Sequence, residues 1–220
     1  MEISKMKDLP VYVEGIYKYI LECKIPFEEA AWMFDLINNY PLKDKGTFAD
    51  EVFQFTQECS DLKDKYNYYR HFKLQAENLF AAVSFFRNNK KRFSFSERKD
   101  YLWALNISDK KTGRQYYLDM SWGNTRSSLF ALSFIYPGSE NWDKWLIDNI
   151  LDDNRRDCIV NKYIDNPDDG KLYLMTLFQL CPSPEMFEKM FLASLSLMEW
   201  GIYDLEHSIE YYEKKDKTNR

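Results

Sequence analysis

Cysteine, glycine and proline are all scarce in this chain. Its 220 residues include 4 Cys, 7 Gly and 7 Pro, and the four cysteines are far apart and form no C-x-x-C pair. Secreted disulfide scaffolds are smaller and denser in cysteine, so we expect reduced, mostly buried thiols. Hydrophobic residues make up 45% of the chain, which excludes a disordered or collagen-like protein. The length allows one large domain, or one domain with an appendage.

Long apolar runs are also missing. A helix that spans a membrane needs about 20 consecutive apolar residues. The richest candidate, residues 186–205, is interrupted by charged residues from Glu188 to Asp204. The N-terminal residues 1–8 are polar and lack the apolar stretch of a signal peptide. We therefore expect no membrane partner and a cytoplasmic location.

No motif typical of an enzyme occurs. The chain lacks the G-x-x-x-x-G-K-[ST] and G-x-G-x-x-G loops that hold phosphates and the G-x-S-x-G turn of a nucleophilic serine. Asp204 and His207 share a helix face, but a metal needs at least three protein ligands. The acidic turn at 165–170 places Pro167 where a calcium loop needs an oxygen ligand. The sequence predicts a protein that is not an enzyme and that holds no cofactor and no metal.

Apolar residues at intervals of three and four predict helices in the N-terminal part of the chain. The predicted helices are 10–23, 27–39, 47–59 and 62–86. Thr47 and Asp50 resemble a capping box at the start of the third helix. The fourth helix has the clearest apolar stripe, which needs a surface to cover.

After residue 100 the pattern changes to alternation, which is typical of strands. Residues 103–107 and 116–120 alternate around a polar loop and predict a hairpin, and residues 129–136 are apolar on both faces, as in a central strand. The remaining predicted elements are a helix capped by Ser139 that runs to about Leu151, strands at 158–164 and 171–180, and a last helix with Ser183 as its N-cap.

This element order predicts an α+β protein. Its expected organisation is an N-terminal helical region (1–60), an α+β domain (61–213) and a charged disordered tail (214–220). The α+β domain would hold a roughly five-stranded antiparallel sheet, in the order α-βββ-α-ββ-α, flanked by helices.

The order of elements over residues 62–213, with the acidic net charge of −5, resembles the type III secretion chaperones and the YbjN-like proteins. The resemblance implies a fold of this plan and a non-enzymatic role in binding another protein. It also implies homodimer formation, as is frequent in that family. This inference from fold to function is an analogy.

Residues 87–114 suggest an alternative function, in RNA or DNA binding. The stretch 87–99 holds six basic residues against one acid, with two phenylalanines interleaved. Basic side chains bind phosphates and aromatic rings stack on bases. The candidate nucleic-acid-binding residues are Arg87, Lys90, Lys91, Arg92, Phe93, Phe95 and Arg98. The acidic net charge and the position of the stretch after a helix favour a solvated connector instead.

An excess of aromatic residues favours protein binding. Tyr and Trp dominate the energetic hot spots of interfaces, and adjacent aromatics on a helix, such as Tyr211 and Tyr212, cannot both face the core. Residues 140–170 hold nine acids and four bases, a polarity that orients a partner. The candidate partner-binding residues are Tyr116, Tyr117, Trp122, Trp142, Tyr211 and Tyr212. The sequence thus predicts a chaperone, inhibitor, immunity factor or adaptor that presents an aromatic sheet face or a helix edge.

Overall fold

In a computed structural model of the protein, the described residues are 27–59, 61–98, 101–122, 129–153, 160–164 and 170–219. They form the helices α1 (Phe27–Asn39), α2 (Lys45–Glu58), α3 (Leu62–Asn88), α4 (Lys144–Leu151) and α5 (Pro184–Asn219). The strands are β1 (Phe93–Arg98), β2 (Tyr101–Asp109), β3 (Arg114–Trp122), β4 (Leu129–Ile135), β5 (Asn161–Ile164) and β6 (Leu172–Gln179). A short 3-10 helix covers Ser139–Asn141. The predicted helix at 10–23 and most of the predicted turn at 165–170 lie outside the described residues.

The strands form one antiparallel sheet in the order β1-β2-β3-β4-β6-β5. The predicted α+β class and the predicted β2–β3 hairpin are confirmed, but the sheet has six strands, one more than the five predicted. The additional strand is β1, which the sequence analysis interpreted as a basic connector. Phe93 and Phe95 of β1 turn inward while Ser94 and Ser96 are exposed. The basic residues around β1 make this short apolar alternation difficult to recognise in the sequence.

The helices share one face of the sheet. Inward-facing side chains of the strands, such as Leu105 and Leu118, belong to a single hydrophobic core. Buried residues of all five helices belong to the same core, among them Met33 of α1, Leu79 of α3 and Leu146 of α4. Burial of this apolar surface is the main stabilising term for such a two-layer arrangement.

The helices of the predicted N-terminal region join that same core. The ring of Phe48 in α2 lies 5.3 Å from Trp103 of β2 and stacks on Tyr40 at 4.2 Å. The hydroxyl of Tyr40 donates a hydrogen bond of 2.7 Å to the carbonyl of Leu102. Residues 27–58 therefore pack as part of the α+β domain, and the predicted boundary near residue 60 does not separate two cores.

Two helices begin at aspartate N-caps that differ from the caps predicted from the sequence. Asp44 accepts a hydrogen bond of 3.0 Å from the backbone N–H of Thr47, which lowers the pKa of its carboxyl. Asp143 accepts one of 2.8 Å from the N–H of Leu146, so α4 begins there and not at Ser139. Aspartate is among the best N-cap residues, and in both cases it lies close to the predicted cap.

The last helix is longer than predicted. Ser183 accepts a hydrogen bond of 3.2 Å from the N–H of Met186, as expected of its N-cap. The helix then passes through Gly201 without a break and ends at Asn219. Residues 214–219 are therefore helical, where a disordered tail was predicted. None of the helices in the described ranges is long and apolar enough to cross a membrane.

Candidate protein-binding surface

Helix α5 carries two apolar stripes on different sides. The first is buried in the core and consists of Phe187, Phe191, Leu195, Met198, Ile202, Leu205 and Ile209. The second is exposed and consists of Met186, Met190, Ala193, Leu197 and Trp200. We call these five exposed residues the outer stripe. A helix with only one partner needs one stripe, so the second one requires a separate explanation.

The residues of the outer stripe follow each other at alternating intervals of four and three. This is the spacing by which one helix packs into another along a continuous seam. Trp200 is 66% exposed and Met186 is 53% exposed. Single exposed apolar side chains are normal on any surface, whereas a contiguous apolar patch is typical of an interaction site. The regular spacing makes the outer stripe a surface that fits a second helix.

Ionic contacts on another side of α5 hold the helix in place. Arg114 of β3 contacts the carboxylates of both Glu199 and Glu206, the latter at 3.3 Å. The hydroxyl of Tyr116 donates to Glu199, and burial together with this contact raises the pKa of the phenol. Two residues beyond Glu206, Ser208 donates a hydrogen bond of 2.6 Å to Asp153. The outer stripe therefore lies on a rigid, preorganised helix, which lowers the entropic cost of binding.

The six predicted partner-binding residues do not form one surface. Tyr116 is 1% exposed and Tyr212 is 8% exposed, so the core holds both, and this corrects their assignment to an interface. Trp142 is half-buried and lies 5.2 Å from the ring of Tyr136. Trp122 ends β3, but its side chain is outside the described part of the structure. Tyr211 is exposed on α5, as the argument about adjacent aromatics predicted.

Tyr117 lies on the sheet face opposite to the helices. It is half-buried, and the guanidinium of Arg98 lies 5.3 Å from the centre of its ring. With Ser96, Asn106 and Gln115 it lines a hollow of about 360 Å³. The ring is thus separated from the aromatic residues on α5 by the full thickness of the sheet.

The sequence analysis did not single out the outer stripe. None of the five residues of the outer stripe is among the six partner-binding residues predicted from the sequence. The signal was present, because two apolar sets with helical spacing run along residues 186–209. Only one of these sets can face the sheet, so the other one points away from it.

The basic-aromatic interval has largely structural roles. Arg92 binds the carboxylate of Asp109 through two nitrogens, with Nη2 at 2.8 Å from Oδ2. Phe93 is buried, and Phe95 packs against the core, so neither ring is a free platform for a base. The burial of Phe93 corrects its assignment to nucleic-acid binding, whereas the assignment of Arg92 and Phe95 stays a prediction. The exposed residues of the set are Arg87, Lys90 and Lys91, and Lys110 of the hairpin donates to the carbonyl of Lys90.

The candidate metal-binding pair forms no larger cluster in the structure. Nδ1 of His207 lies 2.8 Å from the carbonyl oxygen of Tyr203, in its own helix. The described residues contain no group of three or more histidine, cysteine or acidic side chains that could hold a metal. Cys181 is buried and Cys59 is half-buried, and burial raises the pKa of the Cys181 thiol.

Comparison of the chain with protein-family models, with curated proteins and with solved structures found no match. The resemblance to the type III secretion chaperones and YbjN-like proteins therefore stays a prediction. The function must be argued from the residues of the chain itself.

Proposed function

We propose that the protein is a non-enzymatic protein-binding module that docks a helix of its partner on the outer stripe of α5. One observation supports this proposal: α5 exposes apolar residues at heptad spacing although its other apolar stripe is already buried in the core. The exposed residues are Met186, Met190, Ala193, Leu197 and Trp200. Chaperone, inhibitor, immunity and adaptor roles all belong to this class, and the proposal does not depend on a choice among them.

The energetics of the outer stripe support a docking role. Full burial of a leucine or methionine side chain stabilises by about 1.5 to 3 kcal/mol. Met186 and Trp200 are more than half exposed, so a partner could still gain most of that burial free energy from them, and a smaller part from Leu197. Tryptophan is also among the residues enriched in interface hot spots. A partner helix that covers the stripe would recover this free energy, and the charged side chains of Lys189 and Glu210 on one flank would fix its orientation.

Substitution of Leu197 or Trp200 by glutamine is expected to reduce partner binding about tenfold, because it removes apolar contact area at the centre of the stripe. The tagged full-length protein would be used to capture partners from native lysate of the cells that make it, at low salt, and the captured proteins would be quantified by mass spectrometry. Both substituted side chains are exposed, so the fold should be unchanged.

The matched control for this experiment is Leu177→Gln. Leu177 is 39% exposed and Leu197 is 38% exposed, so the two side chains are matched in exposure. Leu177, however, lies in β6 on the face of the sheet away from the helices. The proposal requires that a specific protein is lost with Leu197→Gln and retained with Leu177→Gln. Equal retention by all variants, or loss only with Leu177→Gln, would contradict it.

A further inference from the structure

The geometry of α5 points to a second copy of this chain as the occupant of the outer stripe. The two α5 helices would run antiparallel about a two-fold axis between Leu197 and Trp200. This inference rests on the proposed function and specifies its partner. A two-fold interface requires a self-complementary surface, in which residue i meets residue j and residue j meets residue i. The outer stripe and the residues that continue its spacing satisfy this requirement.

One antiparallel register brings together the outer stripe and the half-buried residues that continue its spacing, Asp204 and His207. It overlaps the helices over about 26 residues, or roughly 39 Å. The opposed pairs, each formed twice, are Leu197 with Trp200, Ala193 with Asp204, Met190 with His207 and Met186 with Tyr211. The Leu–Trp pairs would form an apolar centre. The Met–Tyr pairs at the ends would gain sulfur–aromatic contacts.

The polar residues in this seam also fit the register. Asp204 would lie opposite the small side chain of Ala193, which leaves room for water around the carboxylate. Polar groups at single seam positions of paired helices lower the stability but specify the register. A parallel arrangement would instead place Trp200 against Trp200 and Ala193 against Ala193. Such pairing of large with large and small with small packs poorly.

Charge complementarity beside the seam supports the same register. Lys189 and Glu210 lie on the same flank of the stripe, and the antiparallel pairing places Lys189 of each copy opposite Glu210 of the other. Lys189 makes no ion pair within the described part of the chain, and Glu210 has only a long contact of 3.9 Å with Lys214. The dimer would therefore contain two additional opposite-charge pairs, which set orientation more than affinity.

The oligomeric state of the full chain tests this inference. In sedimentation velocity over a wide range of concentrations, we expect a reversible dimer. Leu197→Gln should weaken dimerisation at least about a hundredfold, because both copies carry the substitution and both central Leu197–Trp200 pairs are disturbed. Lys189→Glu should weaken it about tenfold, since it places two like-charged pairs in the interface. The double variant K189E/E210K should restore the wild-type constant to within about threefold.

Two controls match these substitutions. Glu188→Lys is a charge reversal of the same size as Lys189→Glu, with the opposite sign, but it lies off the stripe, and Leu177→Gln repeats the apolar change on the far face of the sheet. Both should dimerise like the wild-type chain. Far-UV circular dichroism of each variant establishes that it is folded before its constant is interpreted.

Each other outcome overturns the inference. A dimer that Leu197→Gln does not affect would use another surface, and failure of the double charge exchange to restore dimerisation would exclude this register. A chain that stays monomeric at all concentrations would exclude the second copy as occupant. In that last case the capture experiment decides separately: capture that depends on Leu197 would preserve the proposed function with a different partner helix, and its absence would remove both.

Discussion

Replacing Arg92 with methionine is expected to lower the free energy of unfolding by about 3 kcal/mol. The side chain of Asp109 is fully buried at the end of β2, and Arg92 supplies its charged partner through Nε and Nη2. The backbone N–H of Lys111 adds one neutral hydrogen bond of 2.9 Å. Without the guanidinium, a buried carboxylate would keep only that bond, and an unpaired buried charge is strongly destabilising. Urea denaturation followed by circular dichroism measures the change.

Lys91→Met is the matched control for Arg92→Met, because Lys91 is the exposed neighbour of Arg92 in the same turn. It should change the stability by less than about 0.5 kcal/mol. Asp109→Asn should cost less than Arg92→Met, since the amide oxygen can still accept from Lys111 and no charge remains buried. If Arg92→Met and Lys91→Met unfolded at the same denaturant concentration, the ion pair would have no structural role, and Arg92 would again be available for a nucleic acid.

Substitution of Gly201 by alanine should destabilise the protein by about 2 kcal/mol, although alanine normally stabilises the interior of a helix by about 1 kcal/mol relative to glycine. A Cβ at this position would lie 2.7 Å from Cγ2 and 2.9 Å from Cβ of Val160. Val160 is buried and has a short, stiff side chain, so it cannot move away easily. Thermal unfolding of Gly201→Ala measures the loss.

The chain provides both a control and a rescue for this prediction. Gly46 in α2 has only Asp44 Oδ1 near its missing Cβ, at 3.7 Å, so Gly46→Ala should stabilise by about 0.5 to 1 kcal/mol. In a Val160→Gly background the obstructing atoms are absent, and Gly201→Ala should then be stabilising too. A destabilising effect of equal size in both backgrounds would show that the close approach of α5 to Val160 is not its cause.

Contacts on two sides hold α5 in place. Val160 precedes β5, and its contact with Gly201 fixes the middle of the helix from one side. On another side Arg114 binds Glu199 and Glu206. With its core stripe buried and both of these sides occupied, α5 still exposes the outer stripe.

Local pattern was sufficient for most elements of the fold. The spacing of residues 27–39 predicted α1 with its observed ends, and the alternation around residues 109–114 predicted the β2–β3 hairpin. The same reasoning missed β1, because a strand of six residues with only Phe93 and Phe95 as apolar members gives a weak signal beside six basic residues. Pairing with β2 stabilises this strand, and such a contact depends on distant parts of the chain.

The individual aromatic residues were harder to assign. Trp103 is buried in the core whereas Trp145 is 39% exposed, and the sequence pattern does not distinguish the two. Tyr116 and Tyr117 are neighbours in sequence, and the pleat sends them to opposite faces of the sheet. Composition showed a surplus of aromatic residues but not which of them the helices would cover.

The sequence by itself determined the α+β class, the position of most helices and strands, and the presence of more apolar residues along the last helix than one face can use. Periodicity encodes these features, since a helix or strand fixes the direction of each of its side chains locally. Only the tertiary structure decided which stripe of α5 became the core and which stayed exposed, and that Arg92, Phe93 and Tyr116 serve the fold. Burial is settled by contacts between residues that are far apart in the chain, and a local pattern does not contain that information.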